Sequence, residues 1–157
     1  MAIKTFIAGE VLTAADVNTY INNYRADLVS PSETTLISAT AATGTVTCDI
    51  ANTSVTYYTT NASANFVLNF RGNSSLTADT FIATSDAVTH VFLNTNGTTA
   101  YYPTAFQIDG TAGTPIWQGG VAPTAGNASS VDSYAFTIVK TAATPTYQIL
   151  ASQTQFK

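Results

Sequence analysis

Few residues in this chain are equipped for chemistry. A nucleophile triad needs a base, and the one histidine, His90, lies among alternating apolar residues. That setting predicts a partly buried strand histidine with its own hydrogen bonds rather than a general base. The one cysteine, Cys48, falls in the run Val46, Cys48, Ile50, which predicts a buried, inert strand residue and rules out an intrachain disulfide. One Cys and one His, with acids scattered singly, are too few ligands for zinc. Glycosidase chemistry would need two carboxylates brought close from Asp49, Asp79, Asp86, Asp109 and Asp132. Most of these neighbour turns, where Asp serves local hydrogen bonds, and no loop has the ligand spacing of an EF-hand. The expectation is no enzyme activity, no metal and no cofactor.

Aromatic rings are the remaining binding groups. Tyr57, Tyr58, Tyr101, Tyr102 and Trp117 offer flat faces for sugar stacking or for a protein partner. On a strand, adjacent tyrosines point to opposite faces, so the candidate ligand or partner contacts are Tyr57, Tyr58, Tyr101 and Tyr102. Trp117, between Pro115 and Gly119-Gly120, is expected to anchor the core or a corner.

The surface around these residues is unusual. Charged residues make up 9% of the 157-residue chain, against roughly 25% in ordinary soluble domains. Thr, Ser, Asn and Ala take their place, giving a neutral exterior with little self-repulsion, as suits a subunit that associates. Five bases against nine acids cannot neutralise a run of phosphates, so nucleic-acid binding is not expected. No apolar stretch approaches the ~20 residues of a membrane span, and Phe6-Ile7-Ala8 is followed at once by Gly9-Glu10, unlike a signal peptide. The product is expected to stay where it is made, and Asn-x-Ser/Thr matches such as Asn52 and Asn61 are chance in so Asn-, Ser- and Thr-rich a chain.

Two regions follow. Residues 1–30 are expected to form an assembly or attachment segment with a short helix, and residues 31–157 a β domain. Thr13-Ala14-Ala15-Asp16 resembles a capping box, with Leu12 and Val17 placed as a hydrophobic staple. A helix over 14–28 is stopped by Ser30-Pro31, because proline disfavours helical geometry in its predecessor. Val17, Ile21, Tyr24 and Leu28 make a narrow apolar stripe. With Leu12 they are the candidate assembly interface.

From Thr34 the pattern changes to short alternating runs divided by turn residues. Strands are expected at 35–39, 45–50, 54–59, 65–70, 80–84, 88–94, 100–108, 115–118, 133–139 and 146–151. Regular short strands without intervening helical patterns predict a mainly β fold, an antiparallel, jelly-roll-like β-sandwich. Asn96-Gly97 and Asp109-Gly110 tolerate positive φ and mark the sharpest turns, with a hairpin expected across Asn96-Gly97.

Two stretches resemble known proteins. Phe6-Ile7-Ala8-Gly9-Glu10-Val11-Leu12-Thr13-Ala14-Ala15-Asp16-Val17-Asn18 is similar to a short module at the front of phage virion proteins, particularly tail-fibre and appendage proteins. Trp117-Gln118-Gly119-Gly120-Val121-Ala122-Pro123-Thr124, followed by Val131-Asp132-Ser133-Tyr134-Ala135-Phe136, is similar to β domains of phage fibre and cyanophage-type structural proteins. The resemblance implies a virion component made in the host cytoplasm and carried on the particle exterior. It also implies a homotrimer, with other capsid or tail proteins as partners and a host glycan or receptor as an alternative partner. The chain departs from a typical fibre in lacking a long shaft between the two stretches. The expectation therefore moves toward capsid decoration or a short head or tail appendage.

Overall fold

Alternation of apolar and polar residues produces ten strands in the computed structural model, which describes residues 11, 13–15 and 33–157. They are β1 (Thr35–Ala41), β2 (Gly44–Asp49), β3 (Val55–Thr60), β4 (Phe66–Arg71), β5 (Ala87–Asn96), β6 (Pro103–Ile108), β7 (Thr111–Gly113), β8 (Ile116–Trp117), β9 (Ser130–Ala142) and β10 (Thr146–Phe156). One short helix, α1 (Ala78–Phe81), stands between β4 and β5. Of the helix expected over 14–28, Ala14 and Ala15 are described and helical. Leu12, Val17, Ile21, Tyr24 and Leu28 lie outside the described residues.

Residues 33–157 form one unit of two sheets. The large sheet has the order β1-β3-β5-β9-β10-β8 and the small sheet β2-β4-β6-β7. Its topology corrects the antiparallel, jelly-roll-like expectation: β1, β3 and β5 pair in parallel, as do β2, β4 and β6. The chain winds through three stacked coils, each contributing one strand to each sheet. Parallel neighbours need a long crossover, and here the strand in the opposite sheet supplies it. Antiparallel pairing is confined to β6–β7, β5–β9 and β9–β10.

Backbone bonds between corners hold the coils in step. At one side Ser63 N donates to Ala42 O at 3.2 Å and Ala62 N to Thr95 O at 2.8 Å; at the other, Ser54 N donates to Thr34 O and Val91 N to Ser54 O, both at 2.9 Å. The hairpin expected at Asn96-Gly97 is not formed, because β5 and β6 belong to different sheets and this segment carries the chain between them. The tight hairpin is at Asp109-Gly110, where φ values of 50° and 78° join β6 to β7. Both residues tolerate that left-handed region.

The strand expected at 80–84 is also corrected, since Ala78–Phe81 is helical. Thr77 caps it by accepting from Thr80 N at 3.1 Å. The Asp109 carboxylate accepts from Ala78 N at 2.8 Å and Asp79 N at 3.1 Å. A first turn whose free amides are satisfied in this way overrides the β preference of Thr-Phe-Ile-Ala-Thr.

The core lies between the sheets. Phe66, Leu68 and Phe70 of β4 face Phe92 of β5 and Tyr134, Phe136 and Ile138 of β9, all buried. Phe136 is the hub, with its ring centroid 4.9 Å from Phe70, 5.5 Å from Phe106 and 6.2 Å from Trp117. The expected anchoring role of Trp117 is thus met by a tilted aromatic cluster.

Candidate functional site

Each chemically capable residue is engaged locally. His90 is fully buried, its Nδ1 3.1 Å from Thr53 O and its Nε2 3.1 Å from Thr56 Oγ1. A neutral ring donating to the carbonyl and accepting from the hydroxyl satisfies both bonds, and burial pulls its pKa down to about 4. Cys48 is buried in β2, and desolvation pushes its thiol up to about 12, leaving no thiolate to react. Asp49 pairs with Arg71 at 2.6 Å. Asp79 pairs with Lys140 at 2.5 Å, and the Lys140 ammonium also donates to Asp79 O at 2.7 Å, tying α1 to β9. Asp109 caps α1. Among the described residues no group of three His, Cys, Asp or Glu side chains is gathered as a metal site would require, and no helix is long and apolar enough to cross a membrane.

A buried polar network was not anticipated. Asn94 and Asp132 are directly opposed across β5–β9 and both point inward, fully buried. Asn94 Nδ2 donates to Asn96 Oδ1 at 3.1 Å and Tyr101 O at 3.2 Å. Asp132 Oδ2 accepts from Asn127 N at 2.9 Å and Asn96 Nδ2 at 3.1 Å. Burial raises the Asp132 carboxyl, against the lowering effect of these donors. The other oxygen of Asp132 and that of Asn94 have no donor. Gly126 closes over the network: a Cβ there would stand 2.6 Å from Tyr101 O and 2.9 Å from Asp132 Oδ2. The signal for this network was phase, since Asn94, Asn96 and Asp132 fall on the same alternation as Phe92, Tyr134 and Phe136.

The four candidate tyrosines do not form one site. Tyr58 turns inward, its ring 5.4 Å from Phe92, while Tyr57 occupies the outward phase of β3. Tyr101 and Tyr102 lie between β5 and β6, half-buried against the core. Their backbone amides are held by Asn96 Oδ1 at 2.9 Å and Asn65 Oδ1 at 3.2 Å. A cleft of about 290 Å³ between β7 and the β9–β10 turn is lined by Thr111, Gly113, Pro145, Tyr147 and Ile149, with no residue from the tyrosine set.

The outward phase of the large sheet forms a broad surface. Cross-strand rows run Ile37, Tyr57, Leu93, Ser133, Thr154, and beside it Thr35, Val55, Val91, Ala135, Ser152. Further rows are Thr89, Thr137, Leu150, Ile116 and Thr95, Val131, Phe156. None of these residues is ionisable apart from the Tyr57 phenol. Ile37 is 68% exposed, Phe156 56%, Ile116 55% and Leu150 43%. Apolar side chains interspersed with Ser and Thr, without a formal charge, make an uncharged face of the kind that marks an interaction surface more often than a solvent-facing wall. The outward phase of the small sheet differs: beside Val67 and Ala105 it carries Thr45, Thr47, Asp49, Asn69, Arg71 and Gln107, which include the Asp49–Arg71 ion pair.

No family model matches the chain, and no curated protein or solved structure matches it.

Proposed function

We propose that this protein is a non-enzymatic structural component of a phage particle, present in several copies on the exterior as a capsid decoration or a short head or tail appendage. The observation that carries the reading is the uncharged outer face of the large sheet. A face of this extent, rich in β-branched residues and free of charge, is suited to permanent contact with protein, and assembly into a particle supplies it. The resemblance of the 6–18 and 117–136 stretches to phage virion proteins gives the reading its setting. The low charge of the chain favours dense association of many copies. Receptor or glycan binding through the tyrosines is the weaker alternative, because Tyr58 is spent on the core and Tyr101 and Tyr102 are half-buried.

Quantitative mass spectrometry of particles purified from a phage that encodes this chain tests the proposal. Copies in fixed proportion to the major capsid or tail protein are expected, retained through a density gradient. Particles free of the chain would overturn it.

A further inference from the structure

We infer that the outer face of the large sheet packs against the same face of another copy of this chain. The inference rests on the multi-copy structural reading above and gives it a specific partner surface.

Size is the first argument. With strands about 4.8 Å apart and a rise of about 3.3 Å per residue, the outward positions in the rows described cover roughly 540 Å² in plan. Two apposed faces therefore remove about 1,100 Å² before side-chain relief is counted, above the ~1,000 Å² that a specific interface needs.

Charge is the second. Discrimination of a foreign partner usually relies on complementary charge, and these rows carry none. A surface without formal charge meets its own copy with no like-charge conflict, which is the requirement of a self-complementary, isologous contact. Side chains such as Val91, Leu93, Ala135 and Leu150 have the size and branching that interdigitate between sheets about 10 Å apart. The small sheet serves as the internal contrast, because its outer Asp49–Arg71 pair would lose its water if it were covered in the same way.

The test uses the full chain. Light scattering at tens of micromolar should give a multiple of the 16.4 kDa chain mass. The double variant Ala135→Glu, Leu150→Glu should fall to the single-chain mass with unchanged far-UV circular dichroism. Thr47→Glu with Ala105→Glu, on the small sheet, should keep the wild-type mass. Hydroxyl-radical footprinting of the wild type supplies a readout that needs no variant. Raising the concentration from below one to tens of micromolar should slow labelling of Leu150 and Phe156 several-fold, while Phe81, exposed elsewhere, labels unchanged.

A wild-type chain of single mass overturns the inference, as does a face variant that keeps the multiple. Protection of Leu150 and Phe156 that is independent of concentration would also overturn it, by assigning the cover to another segment of the same chain. Particle composition is measured separately, so a monomer in solution that is nonetheless abundant in particles would sink this interface and leave the structural role standing.

Discussion

The two sheets share one core but place their polar residues differently. In the small sheet the inward positions are apolar (Val46, Cys48, Phe66, Leu68, Phe70, Phe106 and Ile108) and the outward ones largely polar, the usual arrangement of a half-buried sheet. In the large sheet the inward positions mix apolar residues (Phe92, Tyr134, Phe136, Ile138, Ile149 and Ala151) with polar ones, and the outward rows mix apolar side chains with Ser and Thr but carry no charge. The buried polar residues of the unit, Thr56, His90, Asn94, Asn96, Asp132 and Lys140, all lie on β3, β5 and β9. The difference separates two tasks. The small sheet closes the core with apolar side chains alone, whereas the large sheet closes it with apolar side chains and specific hydrogen bonds together and carries an uncharged outer face.

Substitution at the shared inner layer should have the largest effect, since it damages both sheets at once. Phe136→Ala removes the ring that joins Phe70, Phe106 and Trp117. It should cost about 3–5 kcal/mol in urea unfolding. A loss comparable to that of an exposed residue would mean that the sheets do not share one core.

The inward polar groups of the large sheet should make stability depend on pH, and each has its own sign. His90 is held neutral with its pKa lowered from 6.5 to about 4. Its contribution is therefore fully present above about 6.5 and is lost as pH falls toward 4, a span worth about 3 kcal/mol at most. His90→Gln should flatten that acid slope in thermal melts at pH 4 to 7, and an unchanged slope would place the acid sensitivity elsewhere. Asp132 has the opposite sign: its raised carboxyl contributes most below the unfolded value of about 3.9 and loses that contribution as pH rises through the folded one. Asp132→Asn keeps the shape and removes the charge from this buried position, and should raise stability at pH 7 by about 1–2 kcal/mol. A destabilised variant would show that the carboxylate is needed ionised.

The smallest effect is expected outside the small sheet. Arg71→Ala breaks an ion pair at a solvated position. The melting midpoint should move slightly in low salt and not at all in 1 M salt. A large, salt-independent loss would erase the contrast between the two outer faces.

Much of this arrangement was legible from alternation alone. The runs around Val46, Phe66 and His90 became strands near their expected bounds, and those around Tyr134 and Ile149 became longer strands, Ser130–Ala142 and Thr146–Phe156, because a two-residue period is a local property. Pairing direction was not legible. Alternation is identical in parallel and antiparallel strands, and the short link Ala42-Thr43 between β1 and β2 looks like a hairpin turn although it crosses from one sheet to the other. The helix at Ala78–Phe81 was hidden for a related reason, since part of its cap, Asp109, comes from 30 residues away. The outer face was partly written in β5, where His90 and Phe92 alternate with Val91 and Leu93. Two apolar phases in one strand imply that both faces need cover, but only the register aligns those residues with β3, β9 and β10 into rows.

The order of strands along the chain also sets a timetable for synthesis. The three coils can wind as they leave the ribosome, each laid on the one before it. The edge of β5 is capped only by β9, which comes after β6, β7, β8 and the crossover that follows them. At translation rates of about 5–20 residues per second, β5 waits for its partner for a few seconds with an unpaired edge and an uncovered apolar face. Nascent chains on neighbouring ribosomes would meet at this stage, so slowing elongation between codons 97 and 130 should increase aggregation of a protein whose finished fold is unchanged.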